Sequence, residues 1–550
     1  MSRDLNDGQA AATGGEPDKA QTISRAGWYA FGLVSLTQAL SMLDRNILSI
    51  LAGHIKEDLG IGDAELGLLY GTVFALFYAL FSLPLGRLAD GWVRTRLLSI
   101  CIAIWSVSTG LAAMASGFAL LAASRLGVGI GEAAAQPAGT SLLYDYFPRN
   151  RRGLAMAGMA SAIALGLGLS LVLGGVTAEW WETRYATTGA PLGLAGWQFA
   201  FLVAASPGLI LSILLWRMKE PRRGAMDGVE TVPDPHPFRS SARVFGSVVP
   251  VSNWFMLWRA DAGRRDWLIN IGGLVLIVLA MTGVALLTDS FSPRPGVVLG
   301  AVTLNPHYLQ WLIVGIGAYA LLNLGQSLRV ADPPVFAVVV SPSVVMAMVV
   351  GALQSVINYG IMGFTPLFIM QEYKLSSGET GILFGILVTV LGILGPMISG
   401  PVSDWAHSRL GGKGRLWVVI VSLGLSPFPG IAAYTATDST TFFVWFIIHA
   451  LLLTMWLPPL YAIMFDLVLP RMRGMTFSIY LVTYTIFGLG IGPYAVGLVS
   501  DANGGQLGMA ILSVFAVSPV IIGILLLMGR RLGKDEALIQ TRARQAGEPI

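Results

Sequence analysis

The stretch GRLADGWVRTR (residues 86–96) decides the fold, because it joins two long apolar runs and has a counterpart late in the chain. Its first five residues, GRLAD (86–90), match GPVSD (400–404), which follows another apolar run 314 residues later. A second pair, DYFPRNRRG (145–153) and DLVLPRMRG (466–474), recurs in the same order at an offset of 321. Two matched landmarks in one order predict an internal duplication.

Apolar runs fill most of the chain around these landmarks. Of the 550 residues, 54% are hydrophobic and 12% charged, whereas about a quarter of a soluble domain is charged. Runs of about 20 apolar residues suit a hydrocarbon core ~30 Å thick. We therefore predict an all-α polytopic membrane protein, built from two pseudo-symmetric six-helix bundles and two inserted helices. The fourteen predicted spans are 27–53, 65–89, 96–116, 118–147, 153–178, 197–217, 267–289, 308–328, 341–370, 379–403, 415–435, 440–468, 474–500 and 508–529.

This map divides the chain into six parts. The inserted helices lack buried charges, so we expect them to be peripheral and to face lipid. The basic and aromatic stretch 238–265 predicts a helix that lies on the cytoplasmic surface. The six parts are a disordered cytoplasmic tail (1–24), an N-terminal bundle (25–217), a linker with an interfacial helix (218–265), the inserted pair (266–330), a C-terminal bundle (331–530) and a cytoplasmic tail (531–550).

Basic residues are distributed unevenly about the spans. If both termini are cytoplasmic, only Lys56, Arg184, Arg294 and Lys374 of the 35 Lys and Arg fall in outer loops. The positive-inside rule therefore predicts that both termini lie in the cytoplasm. We expect the membrane to be the bacterial inner (plasma) membrane. The net charge of +4 reflects this orientation and not an interaction with nucleic acid.

The sequence gives no support for enzymatic, metal or cofactor chemistry. Cys101 is the single cysteine, so no intramolecular disulfide can form, and Zn-type Cys/His spacing is missing. No G-x-x-x-x-G-K-[ST] loop is present, which argues against an ATP-driven pump. We expect a monomeric, non-enzymatic membrane protein that has no cofactor and no metal and whose partners are a small substrate, protons and membrane lipid.

The landmark after the second span resembles the hallmark loop G-x-x-x-D-[RK]-x-G-[RK]-[RK] of the major facilitator superfamily. Gly86, Asp90, Arg94 and Arg96 fit this pattern, whereas Gly91 and Val93 replace a basic residue and a glycine. RLGVGIGEA (125–133) in the fourth span fits the superfamily pattern R-x-x-x-G-x-G-x-A. The resemblance implies two six-helix halves, alternating access and a substrate site at the midplane between the halves.

Within that superfamily, residues 43–175 resemble the Spinster group, whose members are linked to sphingosine-1-phosphate and lysophospholipid export. The segments FALFYA (74–79) and GVGIGEA (127–133) favour this group. The alternative is the anion:cation symporter group, which begins its first helix with a similar Asp-Arg pair and would imply a small organic anion such as a sugar acid. A peptide substrate is disfavoured, because the E-x-x-E-R signature of proton-coupled peptide transporters is missing.

Four charged residues lie well inside predicted spans of the first half, away from the span ends. Asp44 and Arg45 are adjacent in the first span, and Arg125 and Glu132 lie two turns apart in the fourth. A charge at the bilayer centre costs about 2.5–3.5 kcal/mol on insertion scales, so such groups usually face the bundle interior and find partners. We hypothesise that Asp44 and Glu132 bind protons and that Arg45 and Arg125 tune their charge. The alternative is a static set of salt bridges that fixes helix packing.

The duplicated positions of the second half are not charged. The 314-residue offset places Asn358 opposite Asp44 and Tyr359 opposite Arg45. Tyr359, Tyr480 and Tyr484 would give this half an aromatic wall, although such residues more often serve as core packing. A charged half that faces an apolar half suits an amphipathic substrate with a polar head and a hydrocarbon tail.

The two duplicated landmarks also predict a cytoplasmic gate, since the Gly-x-x-x-Asp geometry occurs in both halves. The alternative is ordinary loop salt bridges worth ~0–1 kcal/mol each. The residues of the predicted gate are Asp90, Arg94, Arg96, Asp145, Arg152, Asp404, Asp466 and Arg473.

The sequence thus favours a proton-coupled secondary transporter of an amphipathic, lysolipid-like substrate, with a symporter of small organic anions as the alternative. A membrane sensor that uses the same fold only for binding is disfavoured, because a sensor needs no duplicated gates.

Overall fold

The computed structural model describes residues 23–148, 151–223, 226, 234–249, 251–259, 261–299, 302–469 and 472–548. Almost the whole of this part of the chain is helical. The predicted N-terminal tail (1–24) falls mostly outside the described residues.

Six long helices form the first half, in agreement with the predicted spans. Helix α1 is capped by Ser24, whose side chain accepts a hydrogen bond from the backbone of Gly27 (3.0 Å), and it ends before Gly60, which adopts φ 63°. Helix α4 is broken directly after Glu132 by a turn at residues 133–134. The helices are α1 (Arg25–Leu59), α2 (Asp63–Gly91), α3 (Arg94–Ala112), α4 (Phe118–Tyr146), α5 (Arg152–Tyr185) and α6 (Gly196–Arg217).

The connection between the halves contains two short helices, a hairpin and two long helices. The short helices α7 (Pro237–Val248) and α8 (Ser252–Arg259) occupy the stretch for which we predicted a single interfacial helix. The inserted helices α9 (Arg264–Phe291) and α10 (Pro306–Ala331) follow, joined by the antiparallel strands β1 (Val297–Leu299) and β2 (Val302–Leu304).

Six further long helices form the second half, after a short helix at Pro333–Val339. Helix α14 is interrupted at residues 455–456, ahead of two prolines, and α15 contains a π-helical segment at Tyr484–Leu489. The helices are α11 (Pro342–Tyr373), α12 (Ser377–Leu410), α13 (Gly412–Tyr434), α14 (Ser439–Asp466), α15 (Arg473–Ala502) and α16 (Leu507–Ala537), and a last short helix spans Ile539–Gln545.

Thirteen of the described helices are long and apolar enough to cross a membrane by length and composition. Helix α1, at 35 residues, does not meet the same criterion because polar and charged side chains interrupt its apolar run. These thirteen helices and α1 correspond one to one to the fourteen predicted spans. The protein is an integral membrane protein.

Glycines allow the helices to approach closely where the site is built. A Cβ atom at Gly131 of α4 would lie 2.7 Å from the carbonyl oxygen of Cys101 in α3, and one at Gly385 of α12 would lie 2.6 Å from that of Gly168 in α5. Any larger residue would push these helices apart, since neither neighbour is a flexible side chain. The first contact packs α4 against α3, and the second joins the two halves.

The predicted peripheral position holds for one inserted helix and is wrong for the other. Helix α9 is mostly exposed, as expected of a lipid-facing helix. Helix α10 instead buries His307, Gln310 and Asn323 against its neighbours. The polar groups on this face are uncharged, so the sequence shows no intramembrane charge there.

Candidate functional site

Arg45 and Glu132 form a buried ion pair between α1 and α4. The Arg45 guanidinium lies 2.8 Å from a Glu132 carboxylate oxygen, which also accepts a hydrogen bond from Ser41 (2.8 Å). The rings of Phe74 and Tyr78 in α2 face the same guanidinium, with centroids 4.5 and 4.8 Å from its central carbon. The pair is therefore held by three helices and is shielded from solvent.

Asp44 points to a different set of partners. Its carboxylate accepts a hydrogen bond from Thr109 of α3 (3.2 Å), and its backbone carbonyl accepts one from Arg125 of α4 (3.0 Å). The Arg125 guanidinium also lies over the ring of Phe201, 5.1 Å from its centroid. Adjacent positions on a helix differ by about 100° in direction, so Asp44 and Arg45 reach different neighbours.

The four predicted charges are thus brought together in one half, but they are incompletely hydrogen-bonded. Asp44 is 1% exposed and Glu132 is 0% exposed, yet each has one carboxylate oxygen without a hydrogen-bond partner in the described part of the chain. The same holds for Nε of Arg45 and for Nε and Nη2 of Arg125. Buried polar atoms are nearly always satisfied in native proteins. The cluster therefore has spare capacity for a proton or for a polar ligand group.

Tyrosines of the second half face this cluster. Tyr359 of α11 and Tyr484 of α15 are close enough to act electrostatically on Arg45, and their rings stack with centroids 6.4 Å apart. Tyr480 stacks on Tyr484 (5.5 Å), and Tyr461 meets Tyr480 edge to face (5.5 Å). Four rings therefore form a continuous aromatic array that begins within electrostatic range of the buried arginine.

Asn358, the residue opposite Asp44 in the duplication, does not join the charged cluster. It is partly buried and accepts a hydrogen bond from Gln354, one turn earlier on α11 (3.1 Å).

The end of the bundle away from the termini, here called the distal end, is where polar groups link the two halves. Asp501 at the end of α15 accepts hydrogen bonds from the backbone of Asp63 (3.1 Å) and Ala64 (2.8 Å) at the start of α2. Ser500 donates to the Asp63 carboxylate (2.8 Å). Because Asp501 lies at an N-terminus of a helix, the helix dipole adds to this attraction.

A second distal contact involves α5 and α12. Glu179 accepts a hydrogen bond from the backbone of Gly378 (2.6 Å), again at the start of a helix, and Ser377 donates to the carbonyl of Gly175 (3.3 Å). Among the described residues, the direct hydrogen bonds between the two bundles lie at the distal end and in the adjacent part of α2 and α15, where Thr72 donates to the carbonyl of Gly490.

A model of the Major Facilitator Superfamily matches residues 34–353, which is more than half of the chain. The chain belongs to this superfamily. Its relatives and its fold are those of transporters and not of enzymes.

Three curated relatives place the chain within the superfamily. It is 25% identical to an MFS-type efflux pump of Mycolicibacterium smegmatis, over 88% of this chain and 87% of that protein. It is 26% identical to protein spinster of Drosophila melanogaster, over 38% of this chain and 33% of that protein. It is also 28% identical to a probable L-galactonate transporter of Escherichia coli, over 37% of this chain and 42% of that protein. The predicted resemblance to the Spinster group is confirmed.

A solved structure agrees with the fold. The chain superposes on a bacterial homologue of the human lysosomal transporter Spinster, in an inward-facing and unoccupied conformation, with a TM-score of 0.65. The match covers 93% of this chain and 98% of that one at 20% identity. This likeness concerns the major facilitator fold, with its two bundles.

The predicted gate residues lie at the terminus end. In the described part of the chain, their ion pairs are made within the first half and the adjoining linker, or within the second half. Arg94 is buried between Asp145 (2.5 Å) and Glu220 (2.7 Å). In the second half, Arg415 contacts Asp466 and lies 3.5 Å from Asp404. Ion pairing between the halves by these residues stays a prediction, because the halves are joined at the distal end in this structure.

Four other predicted gate residues have different surroundings. Asp90 is exposed at the end of α2, and Arg96 lies over the ring of Trp216 (5.7 Å). Arg152 donates to the carbonyl of Tyr144 (2.9 Å), and Arg473 lies 3.3 Å from that of Phe465.

The inserted pair contributes to the distal end, which the sequence reasoning missed. Arg294, which follows α9, contacts Asp501 and lies 3.9 Å from Glu65. Burial opposes its charge, but the hydrogen bond to Asp501 and the nearby carboxylates raise the pKa of Arg294 above its usual value. The insert therefore supplies a permanent positive charge between α2 and α15.

Helix α10 makes the same connection deeper in the bundle. Gln310 donates to the carbonyl of Gly490 in α15 (2.8 Å) and contacts Thr72 of α2 (2.5 Å). One ring nitrogen of His307 lies 2.5 Å from the Tyr494 hydroxyl of α15.

Arg294 was one of only four basic residues assigned to outer loops, and this rarity was the available signal for its role.

Proposed function

We propose that this protein is a proton-coupled secondary transporter that moves an amphipathic, lysolipid-like substrate by alternating access. The observation that carries the proposal is that a buried charged cluster lies within electrostatic range of a tyrosine array. Arg45, paired to Glu132, lies within electrostatic range of Tyr359 and Tyr484 of the other half. Cations and hydrogen-bond donors suit an anionic head group, and stacked rings suit the adjoining part of a hydrocarbon tail.

Asp44 and Glu132 are the proposed proton sites. Each keeps one carboxylate oxygen without a partner in the described residues, so each can take up a proton without losing an existing hydrogen bond. Glu132 loses its attraction to Arg45 when it is protonated, which frees the guanidinium for an anionic head group. The substrate and the proton would then act on the same ion pair, which is the requirement for coupling between them.

The distal contacts are the proposed outer gate, closed in this conformation, and the terminus end is the proposed cytoplasmic side. Opening the outer gate would separate Asp501 from the start of α2 and Glu179 from the start of α12. The cytoplasmic gate would then bring Asp90 and Arg94 of the first half towards Asp404 and its neighbours in the second. The uneven distribution of basic residues supports this orientation, with both termini in the cytoplasm. The proposed location is a bacterial inner membrane.

A proton-coupled symporter of small organic anions such as sugar acids is the second candidate. Two buried arginines, Arg45 and Arg125, could bind a carboxylate, and a relative is named as a probable galactonate transporter. In that case the tyrosines would serve packing or hydrogen bonding to hydroxyl groups. The similarity over most of the chain to an MFS-type efflux pump favours export over uptake.

Transport by purified protein in liposomes distinguishes the two candidates. We expect an imposed pH gradient to stimulate movement of a labelled lysophospholipid but not of a labelled sugar acid. The variant Asp44→Asn should remove the gradient stimulation while it leaves the protein folded. Gradient-driven transport of the sugar acid alone would reject the lysolipid substrate, and gradient-driven lysolipid transport by Asp44→Asn would reject the coupling role of Asp44.

A further inference from the structure

The short helices α7 and α8 form a hairpin beside the terminus end of α2. One face of α7 packs on α2, where Ser241 donates to the carbonyl of Pro84 (2.7 Å) and the ring of Phe245 lies 5.2 Å from that of Phe81. Helix α8 is anchored on the insert, because Asn253 donates to Asn323 of α10 (2.8 Å). The hairpin thus connects α2 to the inserted pair.

A cleft of about 540 Å³ lies between the two short helices, on the side away from these anchors. Three arginines line it, Arg239 and Arg243 of α7 and Arg259 at the end of α8, and all three are exposed. None of the lining residues carries a carboxylate, and none of the three arginines has an ion pair within the described part of the chain. The lining is completed by Ala242, Gly246, Ser252, Phe255 and Met256.

This arrangement is unfavourable without an anion. Arg239 and Arg243 are four residues apart on one helix face, where like charges repel, and Arg259 adds a third charge from the facing helix. An anion between them would convert this repulsion into attraction. Guanidinium groups match phosphate oxygens in a two-pronged geometry, which makes phosphate the fitting anion.

The position of the cleft points to a lipid as the source of that phosphate. Helix α2 ends at Gly91 and α9 begins at Arg264, so the hairpin lies at the level where spans leave the membrane. The aromatic side chains of Phe238, Phe255 and Trp258 are exposed around it. Basic groups with exposed aromatic residues are typical of a helix in contact with anionic lipid at the membrane surface.

We propose that the α7–α8 cleft binds the phosphate head group of an anionic membrane phospholipid. The lipid bridges the two short helices and thereby braces the end of α2 against the inserted pair. This inference does not depend on the transported substrate, because it uses none of the residues of the charged cluster or the tyrosine array.

The test is the binding of lipid to the purified full-length protein, measured by native mass spectrometry. The probes are dioctanoyl phosphatidylglycerol, dioctanoyl phosphatidylcholine and inorganic phosphate. We expect phosphatidylglycerol to bind at least about tenfold more tightly than the other two. The variant Arg239→Gln/Arg243→Gln/Arg259→Gln should lose at least about tenfold of that affinity. The matched control, Arg409→Gln/Arg530→Gln/Arg531→Gln, removes three exposed arginines elsewhere and should bind as the parent does.

Equal binding of the two lipids would overturn the proposal, as would unchanged phosphatidylglycerol binding by the cleft variant or an equal loss in the control. Inorganic phosphate that binds as tightly as phosphatidylglycerol would show a site for free anions and would also overturn it. If the triple variant does not fold, Arg243→Gln alone is measured against Arg243→Lys, which keeps the charge. The proposal then requires a larger loss of phosphatidylglycerol affinity for glutamine than for lysine.

Discussion

The two halves of the molecule share a duplicated plan but differ at the positions that matter most. In the first half, Asp44 and Arg45 are buried and each reaches partners on other helices. At the corresponding positions of the second half, Asn358 bonds only along its own helix in the described structure, and Tyr359 joins a stack of rings. The two halves therefore share one helical plan, but the buried charges at these positions occur only in the first half, where they have partners.

Physical cost explains why the charges stay in one half. A buried ion is tolerated only when partners compensate its lost hydration, and a single well-paired cluster needs one such environment, not two. The aromatic copy then provides an apolar surface beside the charges. An amphipathic substrate would meet both halves at once, and a purely polar one would not.

The largest expected effect comes from replacing a buried charge of the first half with the uncharged residue found at the corresponding position of the second half. Asp44→Asn makes the first half resemble the second at this position, and we expect complete loss of stimulation by a pH gradient. Gradient-free exchange of substrate should continue, because the amide keeps the size of the carboxylate. Liposome transport with and without the gradient measures this, and Asn358→Gln serves as the matched control. Gradient stimulation that survives in Asp44→Asn would contradict the account.

Breaking the ion pair should cost stability. Arg45→Gln leaves the Glu132 carboxylate buried and unpaired, so we expect a loss of about 3–5 kcal/mol in unfolding free energy. Adding Glu132→Gln should restore much of that loss, since no buried charge then remains. Thermal unfolding of both variants in detergent checks this. If the double variant is as unstable as the single one, the effect arises from packing and not from charge.

The aromatic side of the comparison predicts a smaller effect on affinity. Tyr359→Ala should weaken lysolipid binding roughly fivefold, through loss of an aromatic contact worth about 1 kcal/mol. Tyr359→Phe keeps the ring and should bind nearly as the parent does. Equilibrium binding of a labelled lysolipid measures both. A defect of equal size in Tyr359→Phe would show that the hydroxyl group, and not the ring, is used.

The smallest effect is expected at the distal end. Arg294→Gln removes one partner of a half-buried contact, so we expect a shift of about 0.5 kcal/mol, or roughly twofold, towards the outward-open form. Reactivity of a cysteine introduced at Ser500, in a Cys101→Ser background, measures the opening. Arg184→Gln is a control, because Arg184 is another of the few arginines assigned to outer loops. An unchanged labelling rate in Arg294→Gln would show that the insert does not contribute to the gate.

The fold was largely predictable because its signals lie in the order of residues along the chain. Apolar runs and the basic residues at their ends define the spans, and the repeated landmarks define the two halves. The sequence also predicted that four charged residues find partners in the bundle interior, because burying an isolated charge is costly. These residues are Asp44, Arg45, Arg125 and Glu132. Those signals do not depend on knowing which helix faces which.

The remainder depends on contacts between distant segments. Thr109 and Tyr78 contact the charged cluster as ordinary residues of apolar helices, with no local pattern to distinguish them. Asp501 pairs with the start of α2 across 438 positions, which only the packing of the two halves reveals. The polar face of α10 escaped notice because uncharged amides do not interrupt an apolar run as charges do.

Transport in liposomes tests the central claim most directly. Purified protein is supplied with labelled lysophospholipid or labelled sugar acid, each with and without an imposed pH gradient. The account predicts gradient-stimulated movement of the lysolipid, its loss in Asp44→Asn, and no response to the sugar acid. Gradient-stimulated uptake of the sugar acid alone would contradict the account and would make Arg45 and Arg125 the binding charges of a small anion.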